Sequence, residues 1–278
     1  MDDKIFVVTG ATSGIGKALI EDLAKTGETI VMVARDANRA NAVLKEITLA
    51  TQNPNLDLQL CDLSILSSVR NLAQILKTKY KKINVLINNA SVYKRKRVTT
   101  IDGFEEMFAT NHLGPFLLTN LLLELLQAGV QENGSAHVLN ITAPSTAQLD
   151  FNDLQSEKKF NSLTAFGATK MANLLFTFAL ARRLENTGIT VNAIHPGLAR
   201  SGLMKESFPL LRLFTWLISS PPQKVTENIV QPAVEPAYEQ MSGKFLHRGK
   251  EIEAPKYAHD HQAQQQLWDV SERLTNPS

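Results

Sequence analysis

Cysteine is nearly absent. Cys61 is the single example in 278 residues, which excludes an intrachain disulfide and suits a reducing compartment, with Cys61 itself read as a packing residue. Charge imbalance is equally scarce: 29 Lys and Arg against 27 Asp and Glu leave a formal net charge of +2, so no general affinity for nucleic acid is expected. No uninterrupted apolar run reaches the ~18 residues that span a bilayer, and the leucine-rich stretch Leu113 to Leu126 is broken by Asn120 and Glu124. The first apolar segment starts within a few residues of Met1, which leaves no visible signal peptide and makes a soluble cytoplasmic protein the expectation. Apolar residues, by contrast, are plentiful at 44% of the chain. That is enough for one large α/β domain covering residues 1–278.

The stretch that organises the chain is Ile5 to Gly16, IFVVTGATSGIG. Four apolar residues make a short buried strand, and Gly10, Gly14 and Gly16 then punctuate a turn into an amphipathic helix carrying Ile15, Ala18, Leu19 and Leu23. A helix entered this way offers unpaired backbone N–H groups at the positive end of its dipole, and glycine lets a pyrophosphate come close to the backbone. Dinucleotide binding is the chemistry this predicts, with Gly10, Thr12, Ser13, Gly14, Ile15 and Gly16 as the cradle.

A second strand, Thr29 to Ala34, is followed by Arg35 and Asp36. An acidic residue at this place hydrogen-bonds the ribose of NAD, whereas an arginine accommodates the 2′-phosphate of NADP. Arg35 comes first, and Lys17 lies near the glycine loop, so NADP(H) is the expected cofactor. A third strand, Leu56 to Leu60, leads into Asp62 and Leu63; Asp62 could accept from an adenine amino group or cap the next helix, for which Ser64 is a further candidate. A fourth strand, Val85 to Ile87, runs into Asn88-Asn89-Ala90-Ser91, and a fifth covers Ala136 to Ile141. A sixth, Thr190 to Ile194, leads to His195-Pro196-Gly197, and a last one lies around Lys244 to Leu246. The polar helix that closes the chain is expected from about Gln262 to Leu274. His259-Asp260-His261 invites a metal reading, but nothing nearby in the sequence completes a ligand set, so no metal site is assigned.

TGATSGIG, the NNA triplet after a buried strand, the run Arg97 to Leu123 (RVTTIDGFEEMFATNHLGPFLLTNLLL), His195-Pro196-Gly197 and the closing LWDVSERL together resemble the short-chain dehydrogenase/reductase family. Within it the likeness is to the retinol-dehydrogenase-like and WW-domain-oxidoreductase-like group. The resemblance implies a single Rossmann-type, doubly wound parallel sheet of about seven strands flanked by helices. It implies cofactor contacts from Asn88, Asn89, Ala90, Lys170, Pro196 and Gly197, pairing of subunits through long helices, and a substrate lid at about 198–222. Leu210 to Ile218, apolar on nearly all sides, would be the lid helix over a large lipophilic substrate. Members also carry an asparagine, here Asn111, that binds a water connecting the catalytic lysine to solvent. Ser91 stands where members usually have glycine.

The family's Tyr-x-x-x-Lys signature has a physical reason: residues four apart share a helical face, so the lysine can lower the pKa of the phenol beside it. Here the signature reads Phe166-Gly167-Ala168-Thr169-Lys170, and Ala143 occupies the position of the family's catalytic serine. Both proton-bearing hydroxyls are missing. Substitute donors are Thr142, Ser145, Thr146, Tyr93 and His195. Three functions follow as expectations: an oxidoreductase of carbonyl/alcohol lineage with a disabled or atypical proton donor, a non-redox catalyst in the same pocket, or a cofactor-binding protein without turnover.

Overall fold

The computed structural model describes residues 4–200 and 219–276. The helix expected at Leu210 to Ile218, and most of the expected lid, lie outside these residues. Apolar-rich runs form the strands β1 (Ile5–Thr9), β2 (Thr29–Ala34), β3 (Leu56–Leu60), β4 (Val85–Asn88), β5 (Ala136–Ile141), β6 (Ile189–Ile194) and β7 (Phe245–His247). The inner ones are largely buried on both faces, whereas β3, LDLQL at the sheet edge, alternates apolar and polar and is only partly buried. All seven pair in parallel. The sheet has eight strands rather than about seven, in the order β3-β2-β1-β4-β5-β6-β7-β8, because β8 (Lys250–Glu251) folds back antiparallel on β7. The turn joining them has positive φ at both Arg248 and Gly249 (51° and 69°). Such a tight hairpin matches the strand twist, but its usual sequence signal is Asn-Gly or Asp-Gly, which Arg-Gly does not display.

Helices α1 (Gly14–Ala24), α2 (Ala37–Thr51), α3 (Leu66–Lys79), a short α4 (Glu106–Phe108), α5 (Gly114–Asn133) and α6 (Ser162–Arg183) are followed by α7 (Glu227–Val234) and α8 (His261–Thr275). Two apolar clusters sandwich the sheet. One gathers Leu72, Leu76, Leu118, Leu122 and Val138; the other gathers Leu19, Ile20, Leu23, Met32 and Ile87. Cys61 is buried, and that burial pushes its thiol up to about 11, consistent with a packing role. Strand order reverses between β1 and β4, so the crevice at their carboxyl ends is the place where such sheets bind ligands.

The leucine-rich segment is longer than expected, since α5 runs on to Asn133 and continues the turns that precede it. Glu106–Asn133 and Ser162–Arg183 are long and apolar enough to cross a membrane, with 61% and 72% of their most apolar windows buried inside the fold. Part of that cover comes from α8. Its Trp268 packs edge-on against Phe116, with ring centres 5.0 Å apart, and the Arg183 guanidinium lies 3.9 Å above the Trp268 ring. His112 meets Ser271 at 2.8 Å, and Arg70 donates to the Thr275 carbonyl. The surface of α5 and α6 around Phe116 and Arg183 is therefore covered within the chain. The His259-Asp260-His261 triplet builds this element: Asp260 caps α8 by accepting from Gln262 and Ala263 N–H, and His259 stacks on Phe178 at 4.6 Å.

Candidate active site

The glycine turn is held by side chains from β1 and the β4 terminus. Thr9 Oγ1 accepts from the backbone N–H of Asn89 (3.0 Å) and Ala90 (3.1 Å), and Asn89 Nδ2 donates to the Thr9 carbonyl at 2.8 Å. Gly10 has φ +70°, and a Cβ on it would lie 2.8 Å from Ala90 Cα; a Cβ on Gly16 would lie 2.0 Å from the Gly10 carbonyl. Two backbones thus approach as closely as they can, and no larger residue fits. Thr12, Ser13, Gly14 and Ile15 complete the turn, and Ser13 sits at the N-cap of α1 in extended conformation without a capping bond from its side chain. First-turn amides that no side chain caps, beside a backbone cradle stripped of Cβ atoms, fit a dinucleotide pyrophosphate.

Asn88 also has a structural role: its Nδ2 donates to Thr119 Oγ1 and to Asn140 Oδ1 at 3.0 and 2.8 Å, so the buried side chain ties β4 to β5 and α5, while Asn89 and Ala90 serve the glycine turn. The ammonium of Lys17, near the glycine turn, is paired with Glu46 at 2.6 Å on the surface. Asp36 caps α2 through Arg39 N–H at 2.8 Å, which leaves Arg35 as the residue facing outward at the end of β2, with its side chain 59% exposed. Asp62 accepts from the N–H and hydroxyl of Ser64. Neither of them caps α3, whose first amide, Leu66 N–H, is taken by Asp102 at 2.7 Å. Leu63 is buried.

Around the expected chemistry, α6 is capped by Asn161, whose side-chain Oδ1 accepts from Leu163 and Thr164 N–H. Two turns on, Lys170 is buried, and burial drives its ammonium down to about 8. Its Nζ donates to Ser91 Oγ at 3.0 Å and lies 5.1 Å from the centre of the Phe166 ring. Phe166 in turn receives Tyr93 edge-on at 5.6 Å.

The five substitute donors are accounted for. Thr142 Oγ1 donates to the Lys170 carbonyl at 2.9 Å and Ser145 Oγ to the Gly167 carbonyl at 2.7 Å; both hydroxyls bind β5 and its loop to the backbone of α6. The buried Tyr93 donates to Ser162 Oγ at 2.9 Å, one turn before Phe166. Thr146 is exposed. His195 stacks on His247 at 4.8 Å, and its imidazole is lowered by burial and then by that neighbour, which favours the neutral ring. Pro196 accepts from Asn228 Nδ2 at 2.8 Å, and Gly197 turns with φ +94°. Leu198 and Arg200 exchange backbone hydrogen bonds with Ser220, so the chain leaves this edge and returns to it at one point.

Asn111 organises more of the site than sequence reasoning assigned to it. It lies in a π-turn, Ala109–Leu113, a feature that often marks functional positions. Its side chain grips the backbone of Val92 twice, accepting at 2.7 Å and donating at 3.0 Å, and Nδ2 also reaches Thr169 Oγ1 at 3.1 Å. That grip places Ser91 on Lys170 and Tyr93 on Phe166. Ser91, Val92 and Ser162 were missed as site residues; the departure of Ser91 from the usual glycine was their one signal.

Residues 4–210 match the short chain dehydrogenase family. The chain belongs to that family. It is 38% identical over 274 residues to retinol dehydrogenase 12 of Mus musculus, covering 96% of this chain and 85% of that protein. It is 34% identical over 281 residues to polyprenol dehydrogenase of Homo sapiens, with 98% and 85% covered. Among solved structures it is similar to an uncharacterized protein from Mycobacterium paratuberculosis (TM-score 0.77, 29% identity, 98% and 93% covered). A carbonyl reductase from chicken fatty liver, solved with NADPH, shares the fold at TM-score 0.69 and 24% identity, with 91% and 99% covered. The family places this chain in an oxidoreductase lineage whose members use a nicotinamide cofactor.

Proposed function

We propose that this chain binds NADP(H) in a pocket inherited from dehydrogenases of lipophilic alcohols and carbonyls, and that its own redox turnover is suppressed because the pocket has lost its proton donor. One observation carries the reading: Lys170 Nζ faces the ring of Phe166 and bonds to Ser91, where the family's signature would set a phenolic hydroxyl. Gly10, Gly16, Asn89 and Ala90 build the cradle for the pyrophosphate, and Arg35 supports preference for the 2′-phosphate. The names of the relatives, retinol and polyprenol dehydrogenases, support an apolar alcohol as the ancestral substrate class.

When bound, the cofactor would supply or accept a hydride. The protein must then move a proton at the substrate oxygen, and here Phe166 and Ala143 have none to move. Loss of a general acid costs ~10²–10⁴-fold and loss of an orienting donor ~10²–10³-fold, in combinations that are not additive. Of the substitute donors, Thr142, Ser145 and Tyr93 already donate to protein acceptors. Lys170 stays poised: with its ammonium near 8 it carries charge at neutral pH and can hold a ribose hydroxyl, yet has no phenol to activate.

The test is NADPH consumption on long-chain and aromatic aldehydes and ketones by this chain beside Ala143→Ser/Phe166→Tyr. The double variant is expected to turn over at least ~100-fold faster, with NADPH affinity unchanged. Equal activity of the two proteins would overturn the suppressed-donor reading. If neither turns over while both bind NADPH, the pocket's chemistry is not redox.

A further inference from the structure

Four charged side chains converge at the carboxyl ends of β2 and β3. Arg35 Nη1 lies 3.8 Å from Asp62 Oδ2 and 3.9 Å from Glu106 Oε1, and the same Glu106 oxygen lies 3.3 Å from Lys94 Nζ. Their exposures differ: the Glu106 side chain is 12% exposed, Lys94 22%, Asp62 27% and Arg35 59%. Glu106 is thus the innermost member, and it is the group that links the two cations. Neither carboxylate is within hydrogen-bond range of Arg35. The attraction is therefore coulombic, and the guanidinium's fork of donors is not spent on it.

Such an arrangement treats the two nicotinamide dinucleotides unequally. A ribose 2′-phosphate brings further negative charge toward Arg35, and it meets Asp62 and Glu106 within 4 Å of the same guanidinium. A 2′-hydroxyl meets no such repulsion and can donate to a carboxylate. Of the two acids, Asp62 is held by Ser64 and belongs to the turn before α3. Glu106 has no comparable structural duty, since the first-turn amide of α4 at Phe108 is capped by Glu105.

We infer that Glu106 is a specificity-determining residue: its carboxylate draws Arg35 and Lys94 toward itself and so weakens binding of NADP(H) relative to NAD(H). This inference rests on the proposed reading of Arg35 as the contact for the 2′-phosphate. The family pattern at the end of β2 says nothing of Glu106, which reaches Arg35 only through the placement of α4.

The experiment needs no turnover. NADPH and NADH are titrated directly, by fluorescence of the bound nicotinamide, against the unaltered chain, Glu106→Gln and Arg35→Ala at low and high salt. Glu106→Gln keeps the shape of the side chain, and its melting temperature checks that the fold survives. Its dissociation constant for NADPH is expected to fall about three- to tenfold while that for NADH stays within about twofold. The difference should shrink at high salt, because partly exposed charges are screened. Arg35→Ala should weaken NADPH selectively. If Arg35→Ala does so and Glu106→Gln leaves the NADPH/NADH ratio unchanged or moves it toward NADH, the role of Glu106 is overturned and the NADP(H) reading stands. If Arg35→Ala leaves the ratio unchanged, the NADP(H) reading falls and the inference with it.

Discussion

The two halves of the crevice are built to different standards of family likeness. From β1 to β4 the glycine turn, the Asn89 clamp and the Arg35 terminus keep the pattern of a dinucleotide site, and their hydrogen bonds run between backbone and short side chains. From β5 to α6, on the proposed reading, Phe166 and Ala143 stand where the family carries hydroxyls, and the surrounding structure is equally well bonded: Thr142, Ser145 and Asn111 all find partners. On that reading cofactor binding and proton transfer are separable, because the first depends on backbone geometry that many residues enforce together, while the second depends on two oxygen atoms.

The comparison breaks most sharply at the glycine turn. Gly16→Val would set a Cβ 2.0 Å from the Gly10 carbonyl, so the turn must open; NADPH affinity is expected to fall at least about tenfold, roughly 1.4 kcal/mol. Circular dichroism should show the sheet intact. Retention of full affinity would mean that the cradle is not the cofactor site, and the distinction between the halves would collapse.

Asn111→Ala tests the other half at smaller amplitude. It removes the double grip on Val92 and the bond to Thr169, and about 1–3 kcal/mol of stability should go with it. Urea titration measures the loss. In the Ala143→Ser/Phe166→Tyr background the same change should lower turnover more than it weakens NADPH, because Ser91 and Lys170 lose their alignment. An equal effect on both would make Asn111 a purely structural residue.

Acid gives the most regional effect. All six histidines lie after Asn111 in sequence, and burial lowers His112 to about 3 and His137 to about 4. Their unfolded forms take up protons near ~6.5 while the folded forms do not, so below that pH the unfolded state binds more protons and stability falls as pH drops toward 4. Between pH 7 and 4 the hydrogen-exchange protection factors, taken relative to the intrinsic exchange rate at each pH, should therefore fall in β5 and α6 before they do in β1 and β2. A uniform fall would indicate that carboxylates spread over the whole fold dominate instead.

Much of the scaffold was legible because inner parallel strands buried on both faces are largely apolar and the edge strand β3 alternates apolar and polar residues; the expected limits of β2, β3 and β5 agree with those observed. The identity of Phe166 and Ala143 was equally plain, since it follows from spacing along one helix and one strand end. Long-range partnerships were not. Ser91 and Lys170 are 79 residues apart, and nothing local to either announces that a hydroxyl after β4 will receive an ammonium from α6. The partner of Lys17 was hidden for the same reason: its nearness to the glycine turn in sequence said nothing of Glu46 across the α1–α2 surface.

By itself the sequence determined the order of strands and helices, the glycine turn and the absence of the two hydroxyls, because each is set by residues within a few positions of one another. Tertiary structure alone decided which charges meet Arg35, which hydroxyls are already engaged, and that α8 lies across α5 and α6. Those outcomes depend on how distant segments are brought into register by the sheet. Energies between such segments act over 3–4 Å, whereas sequence separation carries no information about distance in space.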